Sequence, residues 1–259
     1  MRWASLSSAM RPKKKWGQNF LRNRGAVERI VAAVEPQPDE LVLEIGPGEG
    51  VLTSRLVEIA PEFLAYEIDP DLAARLRAKY GERIVNADAV EAPLPSRPFR
   101  AVGNLPYNVG TPILRRIIAD PHCRRAVFML QKEVADRLVA KPGDEAYGYL
   151  TLFTRLYAAP RILMTLEPRS FYPPPKVRSA VVVLDPDRKP YASEELIALI
   201  SASFRMRRKK LVNNLMSLHS REEVLRAMRE AGIDEGVRAE ELSLEQFQQL
   251  HSALVHPAS

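Results

Sequence analysis

A single cysteine, Cys123, stands in 259 residues, so no disulfide framework can staple this chain. One thiol suits a reducing compartment, and a cytoplasmic location is expected. The four histidines (His122, His219, His251 and His256) show no zinc-ligand spacing with that cysteine, so no metal is expected. No apolar run approaches the ~20 residues of a membrane-spanning helix. Residues 1–10 (MRWASLSSAM) are too short and too polar for a secretory signal. They leave open an organelle-targeting segment or a plain extension with Met10 as the true start. There is no internal repeat and no low-complexity tract. What is present is ordinary globular composition, 46% hydrophobic and 27% charged. A chain of this length buries roughly 70–75% of its unfolded surface, enough for a sizeable core. It fits one large domain or a large one with a small one.

Acid is missing from two stretches. Met1–Val27 holds seven basic residues and no acid, and Phe204–Val212 holds five and no acid. The chain has 38 Lys and Arg against 32 Asp and Glu; without those twelve, 26 basic residues face 32 acids, a balance of −6. The whole positive excess therefore sits in two short segments. Such clustering points to a polyanion, nucleic acid before membrane. Lys13, Lys14 and Lys15 in the first segment and Arg205, Arg207, Arg208, Lys209 and Lys210 in the second are the candidate nucleic-acid contacts.

Hydrophobic periodicity predicts strands at Leu41–Ile45, Phe63–Ile68, Arg83–Asn86, Phe99–Gly103, Arg125–Leu130, Arg161–Leu166 and Ser179–Leu184. Between them it predicts helices at Val51–Ala60, Pro70–Tyr80, Thr111–Ile118, up to about Val139, and Tyr149–Tyr157. Alternating β and α units imply an α/β fold, a doubly wound, mainly parallel seven-stranded Rossmann-like sheet. The last two strands, joined only by a loop, suggest an antiparallel edge hairpin. Asp185–Tyr191 reads as a polar linker, after which the strand pattern stops. Helices are expected at Ser193–Arg208, from the capping box Ser220–Glu223 to near Gly232, and from Ser243–Gln246 to about Val255. The expected organisation is a basic extension (1–15), an α/β domain (16–186) and a small all-α RNA-binding domain (187–259).

Four motifs carry chemistry. Glu44–Gly50 (EIGPGEG) leaves a strand through a glycine turn and lets backbone approach a ligand. It lacks the spacing of a pyrophosphate binder and the Gly-Lys-Ser/Thr of a phosphate loop. Glu67 ends the next strand, where a carboxylate can accept from both hydroxyls of a ribose. Asp88 follows the third strand, where it can accept from an adenine amino group. Alone, each could be a turn or surface residue. Together they form the ligand signature of S-adenosylmethionine-dependent methyltransferases. Asn104-Leu105-Pro106-Tyr107 follows the fourth strand and resembles the tetrapeptide of enzymes that methylate an exocyclic amino group. An adenine N6 lone pair is delocalised into the ring. The Asn104 side-chain oxygen and the Leu105 carbonyl can accept its two N–H bonds and localise that pair. Pro106 fixes the turn without a competing N–H. Tyr107 can stack on the extruded base, worth roughly 1–3 kcal/mol.

With Gly17–Leu21 (GQNFL) and Phe171–Ala180 (FYPPPKVRSA), these motifs make the chain resemble the rRNA adenine N6,N6-dimethyltransferase family. Within it, the chain looks most like the KsgA-type branch that acts on the small ribosomal subunit. The resemblance runs from about Lys13 to the last helix. It implies S-adenosylmethionine as methyl donor, bound by Asn19, Leu21, Gly46, Gly48, Glu67, Asp88 and Asn104, with no metal. It implies that Tyr107 and Phe171 sandwich the target adenine and that Pro173–Pro175 hold Phe171 in place. The implied partner is a small-subunit precursor carrying the 16S rRNA terminal hairpin, met by a monomer. Three rivals stay open: a non-catalytic assembly or transcription factor on the same fold, a 23S rRNA adenine methyltransferase of the macrolide-resistance type, and a DNA adenine methyltransferase.

Overall fold

A computed structural model describes residues 13, 16, 18–107, 109–187 and 193–256. Lys14, Lys15, Gly17, residues 1–10 and the end of the linker lie outside the described residues. In chain order the elements are β1 (Phe20–Leu21), α1 (Arg24–Val34), β2 (Leu41–Ile45), α2 (Thr53–Ile59), β3 (Glu62–Glu67), α3 (Pro70–Tyr80), β4 (Ile84–Asn86), β5 (Phe99–Asn104), α4 (Gly110–Ala119), β6 (Cys123–Gln131), α5 (Lys132–Val139), α6 (Tyr149–Tyr157), β7 (Ala158–Leu166), β8 (Phe171–Tyr172), β9 (Ser179–Pro186), α7 (Glu194–Ser203), α8 (Leu211–Leu215), α9 (Arg221–Glu230) and α10 (Leu244–Val255).

Seven strands form one sheet in the order β4-β3-β2-β5-β6-β9-β7. The first five are parallel; β9 runs antiparallel to both β6 and β7. The expected edge hairpin exists, with β7 at the edge and β9 inside it. Chain order reverses between β2 and β5, so their carboxyl ends flank the topological switch point, the usual ligand crevice of an open α/β sheet. The two strands meet closely there. A side chain at Gly103 would come within 2.4 Å of the Ile45 carbonyl, which only glycine avoids.

Two apolar layers cover the sheet. One packs α1, α2 and α3 against residues such as Val42, Ala65, Val102 and Val181. The other packs α4, α5 and α6 against Leu43, Ala101, Phe128 and Val182. A third core joins the C-terminal helices, and it recruits Tyr147, Leu152 and Leu156 from the α/β part. Helix α6 therefore serves two cores, with Phe153 turned to the sheet and Leu152 and Leu156 to the helices.

Several boundaries differ from the periodicity. Helix α1, capped by the Asn23 side chain accepting from Ala26 N, and the antiparallel pair β1–β8 were not among the predicted elements. The helix expected over Ser193–Arg208 stops at Ser203. Buried Asn214 explains the stop: its Oδ1 accepts from Met206 N (3.1 Å) and its Nδ2 donates to Met206 O (3.2 Å), holding residues 204–210 as a turn. A continued helix would also bring like charges together at i,i+3 and i,i+4 spacing.

Candidate active site

The glycine turn leaves β2 with Gly46, Gly48 and Gly50 at φ 67°, 59° and 83°, the left-handed region. At Gly48 a side chain would also press within 3.2 Å of the Phe20 ring. Glu67, at the end of β3, is buried; its Oε2 accepts from Gly48 N (2.8 Å) and its Oε1 from Asp69 N (2.9 Å). Burial pushes this carboxyl up, and the two N–H donors partly offset the rise. Its carboxylate is thus fixed at the rim of the turn rather than loose on the surface.

Beneath the turn lies a second acid. Glu44 is fully buried, and the Thr53 hydroxyl donates to its Oε2 at 2.7 Å. Desolvation pushes its pKa up to about 8, with the Thr53 hydrogen bond opposing.

Asn104 closes β5 on the other side of the switch point. Its Nδ2 donates to the Asn19 carbonyl (2.8 Å). A carbonyl only accepts, so this contact sets the amide's orientation and leaves Oδ1 as its acceptor. Leu105 is buried and donates its N–H to Met129 O (3.1 Å), which fixes the Leu105–Pro106 turn. The Tyr107 hydroxyl meets Ser179 Oγ at 2.9 Å.

Over both motifs runs a strap described at Lys13, Trp16 and residues 18–21. Lys13 Nζ contacts Asp69 Oδ1 (2.7 Å) and Asp71 Oδ2 (2.5 Å). Gln18 Nε2 donates to Asp69 Oδ2 (2.9 Å), and its Oε1 accepts from Lys13 N (2.8 Å). Asp69 also caps α3 through Asp71 N. Burial alone would raise the Asp69 carboxyl; the bonds from Lys13, Gln18 and Asp71 N outweigh it and hold it below its ordinary value.

Strap and sheet edge enclose a cleft of about 70 Å³, lined by Asn19, Phe20, Gly46, Gly48, Glu67 and Asn104–Tyr107, with Trp16 and Gln18 on the strap side. The structure brings these predicted residues together. Others stand apart. Leu21 and Phe171 are buried in the apolar layer with Val27 and Leu166. Asp88 is exposed, and its Oδ1 accepts from Val90 N (2.8 Å). Its loop is tethered from two sides, by Arg116 Nη1 to Ala89 O (3.0 Å) and Tyr66 OH to Pro93 O (2.6 Å). Of the basic residues, Lys13 is spent on Asp69 and Asp71. Arg207 donates to Glu145 O (2.7 Å) and Tyr147 O (3.2 Å) and so ties the 142–148 loop to the helical part. Arg205, Arg208, Lys209 and Lys210 are exposed.

Sequence reasoning gave no role to Thr53 or Arg116, and Gln18 and Ser179 entered only as members of the Gly17–Leu21 and Phe171–Ala180 motifs. The signal for Thr53, a hydroxyl nine residues after Glu44, gains meaning only when the turn folds it back.

The cleft suits a nucleoside-bearing methyl donor. A side chain at Gly46 would point to within 3.9 Å of the Asn104 carbonyl, so the absent Cβ is what keeps the space between the two motifs open. The ribose-type acceptor Glu67 borders it, and no side chain intrudes from the turn. The volume is below the ~300–1,000 Å³ of a typical ligand site.

A larger cavity of about 290 Å³ lies away from Asn104, between α1 and α2. Its Arg22 and Arg55 are already paired with Glu49 and Glu28, so it lacks the acceptor set of the cleft.

Residues 9–255 match the family model described as ribosomal RNA adenine dimethylase. The chain is 42% identical to the ribosomal RNA small subunit methyltransferase A of Acidithiobacillus ferrooxidans, covering 95% of each chain. It is 43% identical to the protein of the same description from Methylococcus capsulatus, covering 91% of this chain and 95% of that one. Among solved structures it is similar to a dimethyladenosine transferase from Plasmodium falciparum (TM-score 0.79, 25% identity, 89% of this chain and 95% of that one). It is also similar to the 23S rRNA methyltransferase ErmE (TM-score 0.73, 31% identity, 92% and 100%).

Proposed function

The chain belongs to the ribosomal RNA adenine dimethylase family, and on that premise we propose that it methylates N6 of two adjacent adenosines in a hairpin loop near the 3′ end of small-subunit (16S) rRNA. The product is a pair of dimethyladenosines made during ribosome biogenesis. Similarity at 42% over 95% of the chain to a small-subunit enzyme, against 31% to ErmE, supports the small-subunit reading over the large-subunit one. Intact Glu67, Asn104 and Tyr107 in one cleft support an enzyme over a binding factor.

The observation that carries the chemistry is the orientation of Asn104. With Nδ2 committed to Asn19 O, Oδ1 is left to accept one N6–H, and the Leu105 carbonyl accepts the other. The N6 lone pair is then localised at one point in space. S-adenosylmethionine, when bound, supplies an electrophilic methyl carbon. The residues that would hold it are Asn19, Leu21, Gly46, Gly48, Glu67, Asp88 and Asn104. Orientation can supply roughly 7–11 kcal/mol of the barrier, so no strong general base is assigned. Tyr107 stacks on one face of the base. The family resemblance gives Phe171 the other face; here its ring is buried in the apolar layer with Val27 and Leu166. The base must leave its stack, which costs least in a loop.

Residues 16–186 would supply the chemistry and residues 187–259 the grip on RNA, in one cytoplasmic monomer acting on small-subunit precursors. The test is transfer of labelled methyl groups to under-methylated small subunits, with naked large-subunit rRNA and duplex DNA as controls. Label on the terminal-hairpin adenosines is expected. Label confined to DNA or to the large-subunit RNA overturns the proposal.

A further inference from the structure

Tyr172, Lys176 and Arg178 have no role in the site described above. Residues 171–179 run around the cleft from one motif to the other. At their start, β8 pairs with the strap, Tyr172 opposite Phe20 and Phe171 opposite Leu21. At their end, Ser179 holds the Tyr107 hydroxyl. The segment is therefore the rim of the site by connectivity. Strand alternation sends successive side chains to opposite faces. Phe171 goes inward at 4% exposure, so Tyr172 goes outward at 52%, with Val177 further along at 44%.

About half of Tyr172 is open to solvent. The ring has a cation beside it. The Arg22 guanidinium lies 5.8 Å from the Tyr172 ring centroid and is itself held by Glu49 of the glycine turn at 2.7 Å. Arg22 N also donates to Ser170 O (2.7 Å), locking the two strands in register. Arg169, Lys176 and Arg178 are exposed along the same rim, where Glu167 is the one acid among residues 167–178. A flat ring with a guanidinium over one face, and phosphate-seeking cations along its flank, is a combination that can stack an unpaired base on the other face.

We propose that Tyr172, with Arg22 beside it, is the stacking platform for the nucleotide that flanks the acceptor adenosine, and that Arg169, Lys176 and Arg178 take the adjoining phosphates. The proposal rests on the rRNA reading above and adds a second nucleotide subsite to it. Two adjacent adenosines are to be modified in turn. While one occupies the cleft, its neighbour needs a resting place, and the rim offers one a single residue away from Phe171.

The test uses the full chain and a hairpin RNA of the terminal-loop sequence carrying 2-aminopurine next to the acceptor adenosine. Stacking on Tyr172 quenches its fluorescence. Tyr172→Ala should abolish the quench and raise the KM for under-methylated subunits about tenfold, while the KM for the donor stays unchanged. Tyr172→Phe should behave as wild type, because the ring and not the hydroxyl stacks. Neutralising Arg169, Lys176 and Arg178 together should lower the salt slope of RNA binding by about 2–3. Wild-type quench and subunit KM in Tyr172→Ala would overturn the proposal while leaving the rRNA reading intact. A wild-type protein that methylates no subunit would overturn that reading and this proposal with it. A rise in donor KM matching the rise in subunit KM would mark Tyr172 as a packing residue and sink the platform.

Discussion

At the strap, Lys13 reaches inward to two carboxylates and Gln18 seals the same aspartate. At residues 204–210, four of five cations reach outward, and the fifth, Arg207, ties down a loop. Both regions look alike as acid-free basic clusters. What separates them is the supply of nearby carboxylate. The strap lies against Asp69 and Asp71 at the start of α3. The turn is held from beneath by a neutral amide, Asn214, which satisfies backbone and leaves the charges free. At the strap a cation meets acids; at the turn four cations face solvent, and the proposed grip on RNA rests on that exposure.

The strongest test of the strap side goes through Asn104, which bonds the strap through Asn19 O. Asn104→Ala should lower turnover at least about 100-fold and weaken donor binding far less. Normal turnover in that variant would break the link between strap and chemistry. On the grip side, neutralising Arg205, Arg208, Lys209 and Lys210 together should reduce the salt slope of subunit binding by about 3–4 and leave donor affinity alone. Arg207 is left in place because it holds Glu145 O. Unchanged subunit affinity would refute the grip. Lys13→Ala should do the reverse on a smaller scale. A single solvent-exposed ion pair contributes little, so donor affinity should fall by no more than about fivefold while the RNA salt slope moves by less than one. A slope change as large as that of the turn variant would make Lys13 an RNA contact and erase the distinction.

Much of this was legible beforehand, for reasons that particular residues make plain. Leu41–Ile45 and Tyr149–Tyr157 appear as read, because a run of apolar residues ended by glycine or a capped amphipathic stretch is a local signal. Helix α1 was missed although Val27, Ile30, Val31 and Val34 have helical spacing, since the basic residues before it drew the reading to charge. The β1–β8 pair could not be seen: two residues carry no periodicity, and their partners lie some 150 positions apart. In the site, Gly46, Gly48, Glu67 and Asn104–Tyr107 converge as expected, each sitting at a strand end. Which face Phe171 and Tyr172 present was invisible because register decides it, and a slip of one residue exchanges them.

The two buried carboxylates sharpen the same contrast with the smallest effect on turnover. Asp69 has a cation and is held low; Glu44 has only neutral donors from Thr53 and is pushed by burial up to about 8. The signs follow from proton binding. For Glu44 the native state keeps a proton that the unfolded chain releases near its ordinary value, 4.5. Its contribution is therefore fully present below that value, falls as pH rises, and is lost once pH passes about 8. For Asp69 the contribution is present above its ordinary value, 3.8, and is lost only as pH falls through its lower native value. Glu44→Gln keeps an acceptor for Thr53 and cannot ionise. It should flatten the decline in melting temperature between pH 5 and 8 by a few degrees and leave activity at pH 7 close to wild type. Melting curves across that range decide it. A decline as steep in Glu44→Gln as in wild type would mean that the proton is held elsewhere. The strap's lysine would then no longer account for the difference between one acid beside the glycine turn and the other.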